Sequence, residues 1–186
     1  MPFTSLLLTA LQPDKKLEEN HVGVVLIPSE EEEGETFLLF KSDSKHFHTV
    51  YLQRTQPDKS TPSCCDGVCF AQKGILVTDK KWKREITICL IELKGGKQDM
   101  TKEAVEQILR TRDGIQAGID RSEIQGVNIN WKALIVSKSS LPENEIEKIL
   151  RELKNTFGNK NVKHTHQSAG NINLIKFIKT NEIRTV

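Results

Sequence analysis

The chain has no apolar run approaching the roughly 18 to 20 residues that a membrane-crossing helix needs, so nothing in it reads as a bilayer span. Met1 to Leu11 lacks the basic start and the small-residue cleavage site of a secretory signal. These two absences lead us to expect a cytoplasmic protein with no membrane partner. A large charge of one sign is also lacking: 27 Lys and Arg stand against 25 Asp and Glu, a net charge of +2. A nucleic-acid partner must therefore be argued from clustering of cations rather than from their total. Cysteine is scarce, with four residues, and neighbouring Cys64 and Cys65 could join only through a strained ring. With Cys69 and Cys89 they contain no C-x-x-C pair, so the reading is reduced thiols packed in a core, and a zinc-binding interaction module is its rival. No repeat is visible, and the acidic run Glu30 to Glu33 belongs at a solvated loop because like charges so close repel.

The remainder is ordinary for a folded domain. Hydrophobic residues make up 37% and charged residues 28% of 186 residues, enough chain to bury one core without disulfides. Leu6 to Leu11, closed by Pro13, fits a short helix or arm. Val22 to Ile27 and Thr36 to Phe40 are rich in strand formers and are expected to pair as an early hairpin around Ser29 to Glu35. His46 to Leu52 is a further strand candidate. The Pro-, Ser- and Thr-containing stretch Gln56 to Ser63 breaks the pattern, separating a β-rich N-terminal extension, residues 1–60, from a core spanning 61–186 within a single domain.

That core reads as strand, strand, helix, strand, helix and then a terminal strand or hairpin. Thr101 is a plausible N-cap for a helix to about Arg112, with Ala104, Val105, Ile108 and Leu109 on one side. Trp131 to Ser137 is a strand. Ser140 and Glu143 have capping-box spacing ahead of the stripe Ile146, Ile149, Leu150, Leu153 and Phe157, stopped by Gly158. Asn171 to Lys179 is expected to close the fold as a strand.

One strand carries chemistry. Between Ile86 and Lys94 alternate side chains share a face, so Ile86, Ile88, Leu90, Glu92 and Lys94 lie together, opposite Cys89, Ile91 and Leu93. Both faces are apolar until Glu92. A doubly covered strand should not place a carboxylate and an ammonium on one face unless they meet water, each other or a metal, because unpaired buried charge is expensive. Gly95 and Gly96 follow, leaving room for close approach.

The partner acid follows from geometry. If Gly67 to Val77 pairs with Lys81 to Ile91 around Thr78, Asp79 and Lys80, Asp66 faces Glu92, and directly opposed residues point to the same side. A bulge at Gly74 would shift that register by one. Asp79, the other acid, would lie in the turn, roughly 40 Å away at about 3.3 Å per residue. Two carboxylates, with a backbone carbonyl such as that of Leu93, make a hard oxygen donor set suited to Mg²⁺, with Mn²⁺ as a substitute. Lys94 would orient a water or stabilise charge developing on phosphorus, which is the logic of phosphodiester hydrolysis.

Asp66-Gly67-Val68 followed by Ile91-Glu92-Leu93-Lys94, then a helix and a strand, resembles the PD-(D/E)xK nuclease superfamily of restriction enzymes, resolvases and repair nucleases. The likeness runs from about Cys64 to Ser137. It implies an α/β fold with a mixed central β-sheet flanked by helices, the restriction endonuclease-like αβββαβ core. It also implies Asp66 and Glu92 as Mg²⁺ ligands, Lys94 as the catalytic lysine, and DNA as the substrate, cut by a homodimer where both strands are cleaved. Gln107, on the following helix, is implied as an accessory because several branches send a polar side chain from this helix into the site. The chain departs from the pattern where no proline precedes Asp66 and where the early-helix acid has no clear counterpart, Glu18 and Glu19 being the nearest. The spelling alone is weak: Glu152-Leu153-Lys154 shares it on the polar face of a helix.

Lys73, Lys80, Lys81, Lys83 and Arg84 crowd the far end of the hairpin around Trp82, a combination suited to nucleic-acid phosphates and a stacked base. Within that group Lys81, Trp82, Lys83 and Arg84 are the expected contacts. His46 with His48, and His164 with His166, each share a strand face; surface or inter-strand contact is the plain reading and metal or phosphate contact the sharper one. A noncatalytic nucleic-acid-binding or assembly subunit that keeps the nuclease fold is the alternative to a metal-dependent endodeoxyribonuclease.

Overall fold

The computed structural model describes residues 24–26, 32, 35–41, 63–78, 81–94, 101–121, 127–138, 142–166 and 171–185. Its centre is a five-stranded mixed sheet built from β2 (Glu35–Lys41), β3 (Gly67–Thr78), β4 (Lys81–Lys94), β5 (Val127–Ser137) and β6 (Val162–His166), in that spatial order. β2, β3 and β4 form an antiparallel meander, whereas β5 lies parallel to β4, and β6 parallel to β5. The two parallel steps are bridged by α1 (Thr101–Arg121) and α2 (Glu143–Phe157), as parallel neighbours require a crossover. A second, two-stranded parallel sheet joins β1 (Val24–Val25) to β7 (Ile172–Asn173), and α3 (Leu174–Thr180) follows.

Alternation along the central strands loads both faces. Ile86, Ile88, Leu90, Ala133 and Ile135 pack with Val105, Ile108 and Ile115 of α1 and with Ile149, Leu153 and Phe157 of α2. Cys89, Ile91, Leu93, Leu134 and Val136 pack instead with Leu174, Ile175, Phe177 and Ile178 of α3. Each fully buried Ile or Leu contributes about 1.5–3 kcal/mol, so two such layers account for a sheet whose centre has no polar face.

The hairpin register matches the sequence reading: Gly67 pairs with Ile91, Cys69 with Cys89 and Leu76 with Trp82. The irregularity falls between Leu76 and Thr78 rather than at Gly74, so it lies beside the turn and leaves the site end in register. α1 runs nine residues beyond Arg112. Ile115 and Ile119 continue its buried stripe, outweighing the roughly 1 kcal/mol that Gly114 and Gly118 each cost a helix interior.

Three expectations are corrected. The runs around Val24 and Thr36 are extended but do not pair as a hairpin: β1 joins β7, with Val24 opposite Ile172, and β2 joins β3, with Leu39 opposite Cys69. Asn171 to Lys179 is not a strand, because only Ile172 and Asn173 are extended. The Asn173 side chain accepts the Lys176 N–H at 3.0 Å and caps a helix that buries Leu174, Ile175, Phe177 and Ile178. Buried Lys132 donates to the carbonyls of Phe177 and Ile178 and, at 2.8 Å, to Asn181 Oδ1, closing the other end of that helix. Finally, α2 has Pro142 as its N-cap with no side-chain capping bond, so the Ser140–Glu143 capping box is not its start. At its other end Gly158, at φ 89°, donates to Lys154 O as expected of a stop.

All four cysteines are free, and Cys65, Cys69 and Cys89 are buried. Leu6 to Leu11, Glu18, Glu19, His46 to Leu52, Gln56 to Pro62, Gly95 and Gly96 lie outside the described residues. Among the described residues no helix is long and apolar enough to cross a membrane.

Candidate active site

Asp66 stands immediately before β3, while Glu92, Leu93 and Lys94 end β4. The register carries Asp66 to the level of Glu92, and its Oδ2 accepts the Leu93 backbone N–H at 2.7 Å. The strand end is held from the other side by β5, where Lys138 N–H donates to Lys94 O at 2.9 Å.

Glu92 and Lys94 point to the α1 side and are both buried, at 2% and 6% exposure. Lys94 Nζ lies 2.5 Å from Glu92 Oε1 and donates to Gln107 Oε1 at 3.3 Å. Gln107 is in turn fixed by donating from Nε2 to Ser63 Oγ at 3.0 Å and to Glu103 Oε1 at 3.3 Å. The helix residue picked out in the sequence therefore does touch the lysine, and Ser63, at the end of the expected linker, joins the same network.

Glu92 Oε2 is buried and has no hydrogen-bond partner. Burial is the largest cause that pushes the Glu92 carboxyl up to about 8, and the negative charge of Asp66 adds to it; Lys94 opposes both. The Asp66 backbone N–H also acts to lower the Glu92 value, yet the two acids are close enough to repel and Glu92 Oε2 itself makes no hydrogen bond. Burial, reinforced by Glu92, also raises the neighbouring Cys65 thiol, which makes it a packed thiol rather than a nucleophile.

The sequence reading missed Thr111 and Arg110, which clamp α1 to the chain entering β3. Cys65 N–H donates to Thr111 Oγ1 at 2.9 Å, Thr111 Oγ1 donates to Gln107 O at 2.7 Å, and Arg110 Nη1 donates to Ser63 O at 2.7 Å. These contacts set the residue directly before Asp66. The available signal was a hydroxyl on the apolar stripe, since Thr111 lies between Ile108 and Ile115 and is fully buried.

The donor set is one of hard oxygens. Two converging carboxylates, one with an orphaned buried oxygen, fit Mg²⁺, which is commonly held by one or two carboxylates with waters and substrate phosphates completing its shell. Among the described residues there is no group of three or more His, Cys, Asp or Glu arranged for a metal, so a protein-only cage of the zinc kind is not formed there.

Of the other sequence candidates, the backbone of Lys81 to Arg84 forms the start of β4, and the side chains of Lys81, Trp82, Lys83 and Arg84 lie outside the described part of the structure. Asp79 lies outside it as well. A cavity of about 380 Å³ opens on the α3 side of the sheet, lined in part by Glu35, Lys73, Glu85, Lys132 and Lys179. Its charges are largely matched within the wall: Glu35 binds Lys73 at 3.4 Å and Lys179 at 3.1 Å, and Glu85 accepts from Asn130 at 2.6 Å.

Comparison with protein-family models, curated proteins and solved structures found no match to this chain.

Proposed function

We propose that this chain is a Mg²⁺-dependent nuclease of the PD-(D/E)xK type, acting on DNA as an endonuclease. The observation that carries the reading is Glu92: a carboxylate with one unpartnered buried oxygen, crowded by Asp66, which the β3–β4 register brings level with it. A Glu92–Lys94 ion pair needs no second acid, and Asp66 sets two acids against one ammonium, a balance that a divalent cation would redress. The meander β2-β3-β4, the crossover α1 and parallel β5 follow the order of the βββαβ part of that nuclease core, which supports the same reading by analogy of topology.

Asp66 and Glu92 would hold the cation, with the Leu93 carbonyl as a third oxygen. When bound, Mg²⁺ polarises a phosphoryl oxygen and lowers the pKa of a coordinated water. Asp66 is held in place by the Leu93 N–H. Glu92, once deprotonated, supplies its free oxygen. Lys94, aimed by Gln107, keeps an ammonium beside the reacting phosphate, where it orients the attacking water or stabilises the extra charge that develops on the phosphoryl oxygens. No covalent enzyme intermediate is involved. Lys81, Trp82, Lys83 and Arg84 would grip the nucleic acid away from the scissile bond, and a second copy would serve the other strand.

A second reading is favoured by the Glu92–Lys94 contact at 2.5 Å: a buried pair that maintains the sheet end in a noncatalytic nucleic-acid-binding subunit. Incubation of the purified chain with supercoiled plasmid separates the two. Nicking or degradation with Mg²⁺ or Mn²⁺ that EDTA stops, and that Glu92→Ala lacks, supports the nuclease; binding with no cleavage under either metal overturns it.

A further inference from the structure

Glu92 and Lys94 occupy the C-terminal end of β4, the first of three parallel strands that all finish at one edge of the sheet. The in-register neighbours of Glu92 are Ile135 on β5 and His164 on β6, and those of Lys94 are Ser137 and His166. Residues paired in register point to the same face, so two histidines and a serine continue the row begun by the catalytic candidates. The edge is also tied together: Lys94 O accepts from Lys138 N–H at 2.9 Å, and Lys138 O lies 2.9 Å from His166 Nε2. Ser137 Oγ lies 3.0 Å from His164 Nε2.

Ser137 is fully buried, whereas His164 is half-buried and His166 exposed. A hydroxyl and an imidazole joined in this way always retain one further donor. If Ser137 donates to Nε2, His164 keeps its Nδ1–H; in the other tautomer the spare proton is on the fully buried serine hydroxyl, so only the first arrangement offers a donor to a ligand. An anion is the ligand such a pair suits, and the open ends of parallel strands, where α1 and α2 also begin, are where anionic ligands bind in α/β sheets. Two strand spacings of about 4.8 Å put His164 roughly 10 Å from Glu92 along the sheet edge. Successive phosphates wind about the axis and so lie farther apart than the roughly 3.4 Å axial rise per nucleotide, which makes this the reach of a phosphate only one or two nucleotides along one strand.

We propose that His164, held by Ser137, forms a phosphate-binding extension of the site, its imidazole contacting a nucleic-acid phosphate one or two nucleotides from the one at Glu92 and so setting the register in which the strand lies across Asp66, Glu92 and Lys94. The extension rests on the nuclease reading for its ligand. It adds what that reading leaves open: how the strand is held beyond the reacting phosphate.

The test is a scan with DNA oligonucleotides that each carry one neutral methylphosphonate linkage, with binding measured in Ca²⁺ and cleavage in Mg²⁺. In the native chain, one linkage on a single side of the cut weakens binding severalfold. That penalty disappears in Ser137→Ala and in His164→Ala, and returns in His164→Gln, whose amide still donates. Thermal melts select folded variants, and Ser137→Ala changes volume least. A penalty of equal size in native and variant chains overturns the extension, and if the native chain still cleaves plasmid, the nuclease reading survives it. A penalty lost in the variants of a chain that binds but never cuts supports the phosphate site while removing catalysis. A native chain that binds none of the oligonucleotides overturns both.

Discussion

Asp66 Oδ2 accepts the backbone N–H of Leu93 at 2.7 Å, so the first acid is bonded to the residue between Glu92 and Lys94. The hydrogen bond makes the separation of the two carboxylates a property of the β3–β4 register rather than of flexible side chains. Loss of this acceptor would uncouple them even with the sheet intact.

The raised Glu92 carboxyl predicts a pH-dependent stability in metal-free protein. Its folded value of about 8 lies above the usual 4.5, so the folded state keeps a proton that the unfolded state releases. The stabilisation is therefore complete below about 4.5 and is lost as pH rises through about 8. Its size is on the order of a few kcal/mol at about 1.4 kcal/mol per pH unit. Melting temperature should decline across this window in the native chain and much less in Glu92→Gln. Mg²⁺ should raise the melting temperature more at pH 8 than at pH 6, because cation and proton compete for the carboxylate. Parallel pH profiles for native and Glu92→Gln proteins would remove this assignment.

Lys94 separates chemistry from charge balance. Lys94→Ala is expected to lower single-turnover cleavage by about 10²-fold or more, as when one preorganised electrostatic contact is lost. An exposed pair would cost about 1 kcal/mol or less to break, but Glu92 and Lys94 are buried, so a melting penalty is also expected. That penalty should shrink as pH falls below about 8, where Glu92 takes up its proton. A folded mutant that cleaves at the native rate would return Lys94 to a purely structural role.

The α1 clamp offers a test that leaves all the acids in place. Thr111→Val removes the acceptor of the buried Cys65 N–H, and an unsatisfied buried donor costs about 1–3 kcal/mol. Gln107→Ala instead removes the guide of Lys94, and should slow cleavage by about tenfold or less, the scale of one or two hydrogen bonds of about 0.5–1.5 kcal/mol. Thr111→Val should therefore register chiefly in thermal melts, Gln107→Ala chiefly in kcat. The reverse pattern would mean that Gln107 is a packing residue.

For the basic turn, replacing Lys81, Lys83 and Arg84 together should weaken DNA binding and flatten its dependence on salt, since fewer counterions are released. Binding titrations at several salt concentrations measure the slope, and an unchanged slope would make that turn an ordinary solvated one.

Much of the site was legible locally. Strand alternation between Ile86 and Lys94, the turn near Asp79 and the matched lengths of its arms were enough to bring Asp66 level with Glu92, because a hairpin's register is set by residues close in the chain. The stripes of α1 and α2 were equally readable, as helical periodicity involves only near neighbours. Partner choice was not. Val24 to Val25 and Glu35 to Lys41 have strand composition, but only burial against distant chain sends one to Ile172 and the other to Cys69. A short apolar run such as Leu174 to Ile178 suits either period, and the Asn173 cap together with the buried layer beneath the sheet selected helix. The tertiary structure alone decided that Glu92 and Lys94 are buried, that Thr111 holds the approach to Asp66, and that His164 falls in line with Glu92. Each of these depends on parallel strands and crossover helices, whose contacts join residues far apart in the chain and leave no period along it.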